Sequence, residues 1–298
     1  MRPAEVATTA EWVEGARPRT LFMALAPVAA GTGVAAAASA AAVGPALLAL
    51  LVALALQIGV NYANDYSDGV RGTDAERVGP QRLVGSGAAS PRAVLVAALV
   101  SFAVAGVAGL ALAALSSWWL VVVGAVSIAA AWAYTGTSKP YGYRALGEVS
   151  VFVFFGLVAV VGTAFVQTDR LTGLAFAAAV PVGLLACALL VANNVRDIPG
   201  DERVGKRTLA VMLGQKNSRF LYAMLVVVPF GWAVFVALGV GSAWPLLTLL
   251  ALPLVVVAVR PVLSGAVGPA LIPTLRHTGQ LTLAYAVLLG LGLGLTSL

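Results

Sequence analysis

The chain has 298 residues, is 60% hydrophobic and only 10% charged, and has a mean hydropathy of +0.96, whereas a soluble domain devotes about a quarter of its residues to charge. This composition excludes an ordinary soluble enzyme and places the chain in a bilayer. The formal net charge of +6 calls for no nucleic-acid partner, because anionic lipid headgroups or an anionic substrate attract the same cations.

A helix crosses hydrocarbon with about 20 apolar residues, because backbone that faces lipid must satisfy its own hydrogen bonds. The polar segment 1–19 comes first. It has no apolar core followed by a small-residue cleavage site, so it is expected to stay uncleaved on the cytoplasmic side. Nine apolar stretches follow, at 20–42, 45–64, 93–115, 118–135, 148–166, 172–193, 220–239, 244–260 and 279–297. None alternates as a barrel strand with a polar lumen face would. The expectation is one all-α integral membrane domain over 20–298 with nine transmembrane helices. Gly31, Gly33, Gly106, Gly109, Gly290, Gly292 and Gly294 are candidates for close helix crossings.

With a cytoplasmic N-terminus, seventeen of the eighteen Lys and Arg residues share one face, and only Arg170 falls outside. This satisfies the positive-inside rule. Cys187 is the single cysteine and lies within the sixth span, which predicts a buried structural thiol. His277 sits in the polar stretch HTGQ, expected to be a loop without metal or catalytic duty. In the second span Gln57 and Asn61 are one turn apart, and Asn61 is expected to line a cavity mouth.

The outer connections are short turns, while the inner loops 64–92 and 193–219 are long and hold seven of the twelve acidic residues. They also resemble each other: NDYSDGVRGTDAERVG from Asn64 and NNVRDIPGDERVG from Asn193 start 129 residues apart (193 − 64). Both carry Asn-x-x-x-Asp and then Glu-Arg-Val-Gly. On a helix, Asn193, Asp197 and Asp201 fall at i, i+4 and i+8 on one face. Pro199 predicts that the helix ends or kinks near Ile198. Asn64 and Asp68 keep helical spacing, and Gly69 and Gly72 then break it, so that Asp74 would return from a loop. Two facing carboxylate clusters suit hard divalent cations, which take oxygen ligands from one or two carboxylates and from substrate phosphates. Arg71, Arg77, Arg82, Arg203, Lys206 and Arg207 are then available to phosphate oxygens. In the third inner connection, YTGTSKPYGYRALGEV, Lys139 and Arg144 could face an anionic substrate, and Tyr134, Tyr141 and Tyr143 offer ring faces to a cation. Glu148 could pair with Arg144.

These two aspartate motifs resemble those of the UbiA superfamily of intramembrane prenyltransferases, over nearly the whole chain. The resemblance implies a nine-helix bundle with a central lipid-facing cavity, and cytoplasmic motifs that bind Mg²⁺ and an isoprenoid diphosphate. It places Asn64 and Asp68 in the first motif and Asn193, Asp197 and Asp201 in the second. Gly72 replaces the usual second aspartate of the first motif, and the acid comes instead at Asp74. The resemblance and the reading of the third inner connection together give Asp68, Asp197, Lys139 and Arg144 as catalytic candidates. Metal ligands would be Asp68, Asp74, Asn193, Asp197 and Asp201. Substrate contacts would come from Asn61, Asn64, Arg71, Arg77, Arg82, Tyr134, Tyr141, Asn193, Lys206 and Arg207. NDYSDGVRGTD, YGYRALGEVSVFVFFG and NNVRDIPGDERVGKRTLAVMLG look most like the branch that joins a polyprenyl diphosphate to 1,4-dihydroxy-2-naphthoate in a bacterial plasma membrane. Other aromatic acceptors such as 4-hydroxybenzoate or homogentisate, a transporter, and a membrane scaffold stay open as alternatives.

Overall fold

Polar caps and glycine stops cut the apolar sequence into ten helices in the computed structural model, which describes residues 7–72 and 82–297. α1 (Thr9–Gly15) opens with a reciprocal capping box between Thr8 and Glu11, which satisfies two orphan donors of the first turn. Arg17 then takes a left-handed φ of 55°, and the chain turns by 46° into α2 (Phe22–Ala37). α3 (Val43–Arg71) stops at Gly72, whose φ of 72° suits a residue without Cβ. α4 (Pro91–Leu115) starts with the Ser90 hydroxyl accepting from the Ala93 amide and with a proline where no donor is lost. α5 (Leu120–Ala133) is short. α6 (Gly147–Thr168) widens to a π-helical pitch over Phe152–Val161. α7 (Gly173–Arg203) and α8 (Leu209–Val240) are capped by Thr172 and Thr208. α9 (Trp244–Leu263) and α10 (Gly268–Leu295) complete the chain.

Seven of these helices, α3, α4 and α6–α10, are long and apolar enough to cross a membrane. The other two predicted spans fall on α2, with 16 residues, and α5, with 14. The first span, expected to reach 42, stops at Ala37. The last begins at Gly268 rather than 279, so His277 lies on α10 and not in a loop. Hydropathy dips there without ending the helix, because the Thr278 and Thr282 hydroxyls donate to the carbonyls of Thr274 and Thr278 at 2.8 Å each.

A larger correction concerns α7, which neither ends nor breaks near Ile198 but continues through Pro199 to Arg203. Proline removes the donor that would serve the carbonyl four residues back. For Pro199 that carbonyl belongs to Val195, and the Gln215 side-chain amide of α8 donates to it at 3.4 Å. Pro181 likewise frees the Ala177 carbonyl, which accepts from the Trp232 indole of α8 at 2.8 Å. Helix–helix contacts of this kind let proline persist inside membrane helices.

Two packed bodies result. The larger core joins α2 and α6–α10 around Tyr222, Tyr285, Leu185 and Leu289, and the smaller joins α1, α3 and α4 around Tyr62, Leu83 and Phe102. Small residues set the closest crossings. A Cβ on Gly33 would lie 2.2 Å from the Gly290 Cα, one on Gly31 2.6 Å from the Val160 carbonyl oxygen, and one on Gly292 2.4 Å from the Trp244 carbonyl oxygen. Gly106 and Gly109, expected to act likewise, have open space around them; they lie on α4, which packs chiefly on α3 through other faces.

The crossing of α2 and α10 therefore tolerates no side chain at position 33. Gly33→Val should cost about 3 kcal/mol through forced backbone displacement and lower the melting temperature in detergent by about 5–10 °C. Gly106→Val, which meets no neighbour, should leave the melting curve unchanged. Both are read by thermal unfolding of purified protein.

Candidate active site

The last turns of α3 carry polar side chains at the end of an apolar helix, and Asp68 among them is a nearly enclosed charge, with its side chain 6% exposed. A carboxylate taken out of water needs counter-charge and hydrogen bonds. Arg82 Nη2 approaches Asp68 Oδ2 at 3.4 Å, Lys206 Nζ approaches Oδ1 at 3.5 Å, and the Tyr143 hydroxyl donates to Oδ1. These partners come from three different connections. Burial and then the charge of Asp68 push the Tyr143 phenol far above its ordinary pKa, so it remains a donor. Lys206 also lies 4.5 Å from the centre of the Tyr143 ring, a cation–π contact. The Arg207 amide donates to the Tyr143 carbonyl at 3.1 Å. Arg71 donates to the carbonyls of Thr135 and Thr137, and the Thr135 hydroxyl donates to Asn64 Oδ1. The loop after α5 is thereby fastened to α3 on one side and to the segment after α7 on the other.

On α7 the second motif keeps its helical register. Arg196 holds Asp197 with two charge-assisted bonds, from Nε at 2.7 Å and Nη2 at 2.6 Å, and Asn193 lies on the same face, 3.5 Å from Asp197 Oδ2. Because α7 continues past Pro199, Asp201 follows Asp197 on the same helix rather than in a loop. Glu148 does not pair with Arg144: its Oε1 accepts from Asn194 at 3.0 Å, while the Cys187 thiol donates to its backbone carbonyl. Asp65 is also no member of a ligand cluster. Its two oxygens accept from the amides of Leu83 and Val84 at 2.8 and 3.0 Å, pinning the chain where it enters the packed region.

A cavity of about 380 Å³ lies between the two bodies. Asn61, Asn64, Arg82, Tyr134, Asn193 and Arg196 line one end, while Val52, Leu112, Val123 and Val166 line its depth. The widened turn of α6 contributes Phe154, Phe155 and Val158. Segment 7–20 closes over the polar end. Asn61 donates to the Ala16 carbonyl at 2.8 Å, Gln57 to the Thr20 hydroxyl at 3.2 Å, and Tyr62 to the Trp12 carbonyl at 2.8 Å. Gln57 Oε1 is buried without a partner among the described residues. Arg17, Arg19 and Thr20 thus line the cavity, although their composition reads only as a membrane anchor.

Of the residues singled out by sequence, the structure brings Asp68, Arg82 and Lys206 together and puts Asn61, Asn64, Tyr134, Tyr141 and Asn193 on the cavity wall. Tyr141 donates to the Ala130 carbonyl and packs edge-on to Tyr134. Lys139, Arg144 and Arg207 are exposed and outside the cavity lining. Asp74 and Arg77 lie outside the described residues. Arg196 went unassigned to the site, because it is visible in sequence only as the residue beside Asp197. Tyr143, offered by sequence as a ring face to a cation, also donates its hydroxyl to Asp68.

Among the described residues no three His, Cys, Asp or Glu side chains converge as a metal cage. The donors at the two helix ends, Asp68, Asn193, Asp197 and Asp201, are nevertheless all oxygen donors, as a hard cation requires. A magnesium ion held by one or two carboxylates and completed by substrate phosphates fits that set.

Residues 24–265 match the UbiA prenyltransferase family. The chain is 56% identical to the 1,4-dihydroxy-2-naphthoate octaprenyltransferase of Mycobacterium tuberculosis over 95% of its length and 96% of that protein's. It is 37% identical to the enzyme of that name from Escherichia coli over 99% of each. Its fold matches a UbiA homolog from Archaeoglobus fulgidus bound to DMAPP and Mg²⁺, with a TM-score of 0.65, 16% identity and coverage of 94% and 99% of the two chains. An apo UbiA homolog from Aeropyrum pernix matches with a TM-score of 0.69, 17% identity and coverage of 93% and 97%.

The two bonds of Asp65 to backbone amides predict a structural phenotype. Asp65→Ala leaves two buried donors unsatisfied and should cost about 2–4 kcal/mol, seen as a lower melting temperature and faster amide exchange at Leu83 and Val84.

Proposed function

The chain belongs to the UbiA prenyltransferase family, and we propose that it transfers a polyprenyl group from polyprenyl diphosphate to 1,4-dihydroxy-2-naphthoate. Diphosphate and carbon dioxide leave, and the product is demethylmenaquinol, the reduced form of demethylmenaquinone. Relatives that bear this activity in their names and match almost end to end support the choice of acceptor. The observation that carries the reading is one cavity with a charged rim and an apolar depth. From Asp65 to Ala49 along α3 it extends about 24 Å, at 1.5 Å per helical residue. That shape suits a substrate with a diphosphate at one end and a hydrocarbon chain behind it.

Ionisation of the allylic carbon–oxygen bond moves the bonding electron pair onto the departing diphosphate. Arg82, Lys206 and Arg196 stand at the polar end as preorganised cations for the growing negative charge. Asp68, Asn193, Asp197, Asp201 and Asp74 would hold a magnesium ion, which when bound would supply further positive charge to the leaving group. The Tyr134 ring, steadied edge-on by Tyr141 at 5.5 Å, offers its face to the allylic cation. Apolar walls from α2, α5 and α6 keep water from that cation. The naphthoate ring carbon bearing the carboxylate then forms the new carbon–carbon bond, and loss of carbon dioxide returns its electron pair to the ring. Gln57 Oε1, buried in the cavity wall, is placed to accept from an acceptor hydroxyl.

The membrane arrangement follows from the same reading. Nine spans, α2–α10, with the N-terminus cytoplasmic, put the charged rim at the cytoplasmic face of a bacterial plasma membrane, where both water-borne headgroups arrive. A transport path places polar groups at the bilayer midplane, whereas this cavity gathers its charged groups at one end.

Purified protein in detergent, given 1,4-dihydroxy-2-naphthoate and a polyprenyl diphosphate, should release prenylated naphthoquinol and carbon dioxide in equal amounts, and chelation of Mg²⁺ should abolish both. Product only with 4-hydroxybenzoate or homogentisate would move the acceptor assignment, and no product with any acceptor would sink the enzyme reading. Asp68→Asn and Asp197→Asn should each lower kcat at least about 100-fold while the protein elutes unchanged from gel filtration.

A further inference from the structure

Two prolines interrupt the hydrogen-bond ladder of α7, and each time α8 supplies the missing donor: Trp232 for the Ala177 carbonyl and Gln215 for the Val195 carbonyl. The second repair lies at the active-site end. Asp197 falls between Val195 and Pro199, and Asp201 follows two residues later. Val195 is 1% exposed, so solvent cannot serve its carbonyl. A helix left with a bare carbonyl beside proline bends there or admits water, and such a bend would carry Asp197 and Asp201 away from the Asp68 cluster.

Gln215 is itself held. Arg219 Nη2 donates to Gln215 Oε1 at 2.9 Å, which fixes the amide with its nitrogen toward α7, and Arg219 is anchored by the carbonyls of Val262 and Ala266. Gln215 also begins the long arm of α8, directly after the non-helical Gly214 with φ 73° and ψ 169°. Its base is thus a packed helix and not the short turn before the kink.

We propose that Gln215 is a positioning residue for the second aspartate motif, keeping α7 continuous through Pro199 so that Asp197 and Asp201 face the diphosphate site; this rests on the prenyltransferase reading above. It touches neither substrate nor metal and acts through the Val195 carbonyl. The consequence is a specific coupling. Gln215 matters because residue 199 is proline, and a residue with an N–H at 199 would serve Val195 from within the helix.

The test is a double-mutant cycle between Gln215→Met, which keeps side-chain length and removes the donor, and Pro199→Ala, which restores the backbone donor. Gln215→Met alone should raise both the Mg²⁺ concentration for half-maximal activity and the KM for polyprenyl diphosphate about tenfold, the scale on which outer-shell partners tune a metal site. The KM for the naphthoate should not move. Without turnover, the same variant should show a smaller thermal shift with MgCl₂ plus inorganic pyrophosphate and faster amide exchange over 196–201. In the Pro199→Ala background, Gln215→Met should change each quantity by no more than about twofold, because the two changes share one carbonyl. Equal losses in both backgrounds, whether of activity or of folding, would overturn the proposal. If wild-type protein makes no prenylated product with any acceptor, the enzyme reading fails, and pyrophosphate-induced shift and amide exchange still decide the role of Gln215.

Discussion

A single buried carboxylate organises the polar end of this bundle. Asp68 sits at the end of an apolar helix with little access to water, and the free energy of leaving it uncompensated would be several kcal/mol. Its compensation comes from Arg82 after α3, Tyr143 after α5 and Lys206 after α7. Three connections are thereby drawn to one point. The cations that neutralise Asp68, with the Tyr143 hydroxyl, hold the ends of three connections together.

The depth of the cavity depends on a different constraint, backbone approach. Where α2 meets α10 and α6 meets α7, glycines let main chains touch: Gly33 against Gly290, and Gly156 against Gly183. Tight packing there gathers α2 and α6–α10 into one core, while α3 and α4 form another with α1. The unfilled space between the cores is the cavity. α6 forms part of its wall through a wide-pitched stretch, a departure from α-helical geometry of the kind that accompanies functional sites.

Segment 7–20 shows how a polar sequence can belong to a membrane site. Asn61, Gln57 and Tyr62 spend their hydrogen bonds on the backbone and hydroxyls of that segment. Several polar donors inside α3 are therefore satisfied by a neighbour that also roofs the cavity. Arg17 and Arg19 arrive at the rim as a consequence.

The sequence by itself determined the membrane setting, the positions of the apolar helices, and the paired Asn-x-x-x-Asp motifs at Asn64 and Asn193, because hydropathy and helical spacing are properties of neighbouring residues. It also determined the buried thiol of Cys187. It misjudged the end of α7, since the donor that rescues Pro199 comes from Gln215, sixteen residues further on (215 − 199) and on another helix. It gave no sign that the Asp65 carboxylate is consumed by the amides of Leu83 and Val84. It gave no signal that Tyr143 rather than Tyr141 reaches Asp68, or that Glu148 turns to Asn194 instead of Arg144. Those choices were left to the tertiary structure, because a buried polar group takes whichever partner the packing of distant segments brings within hydrogen-bond reach, and that distance is written in no local pattern.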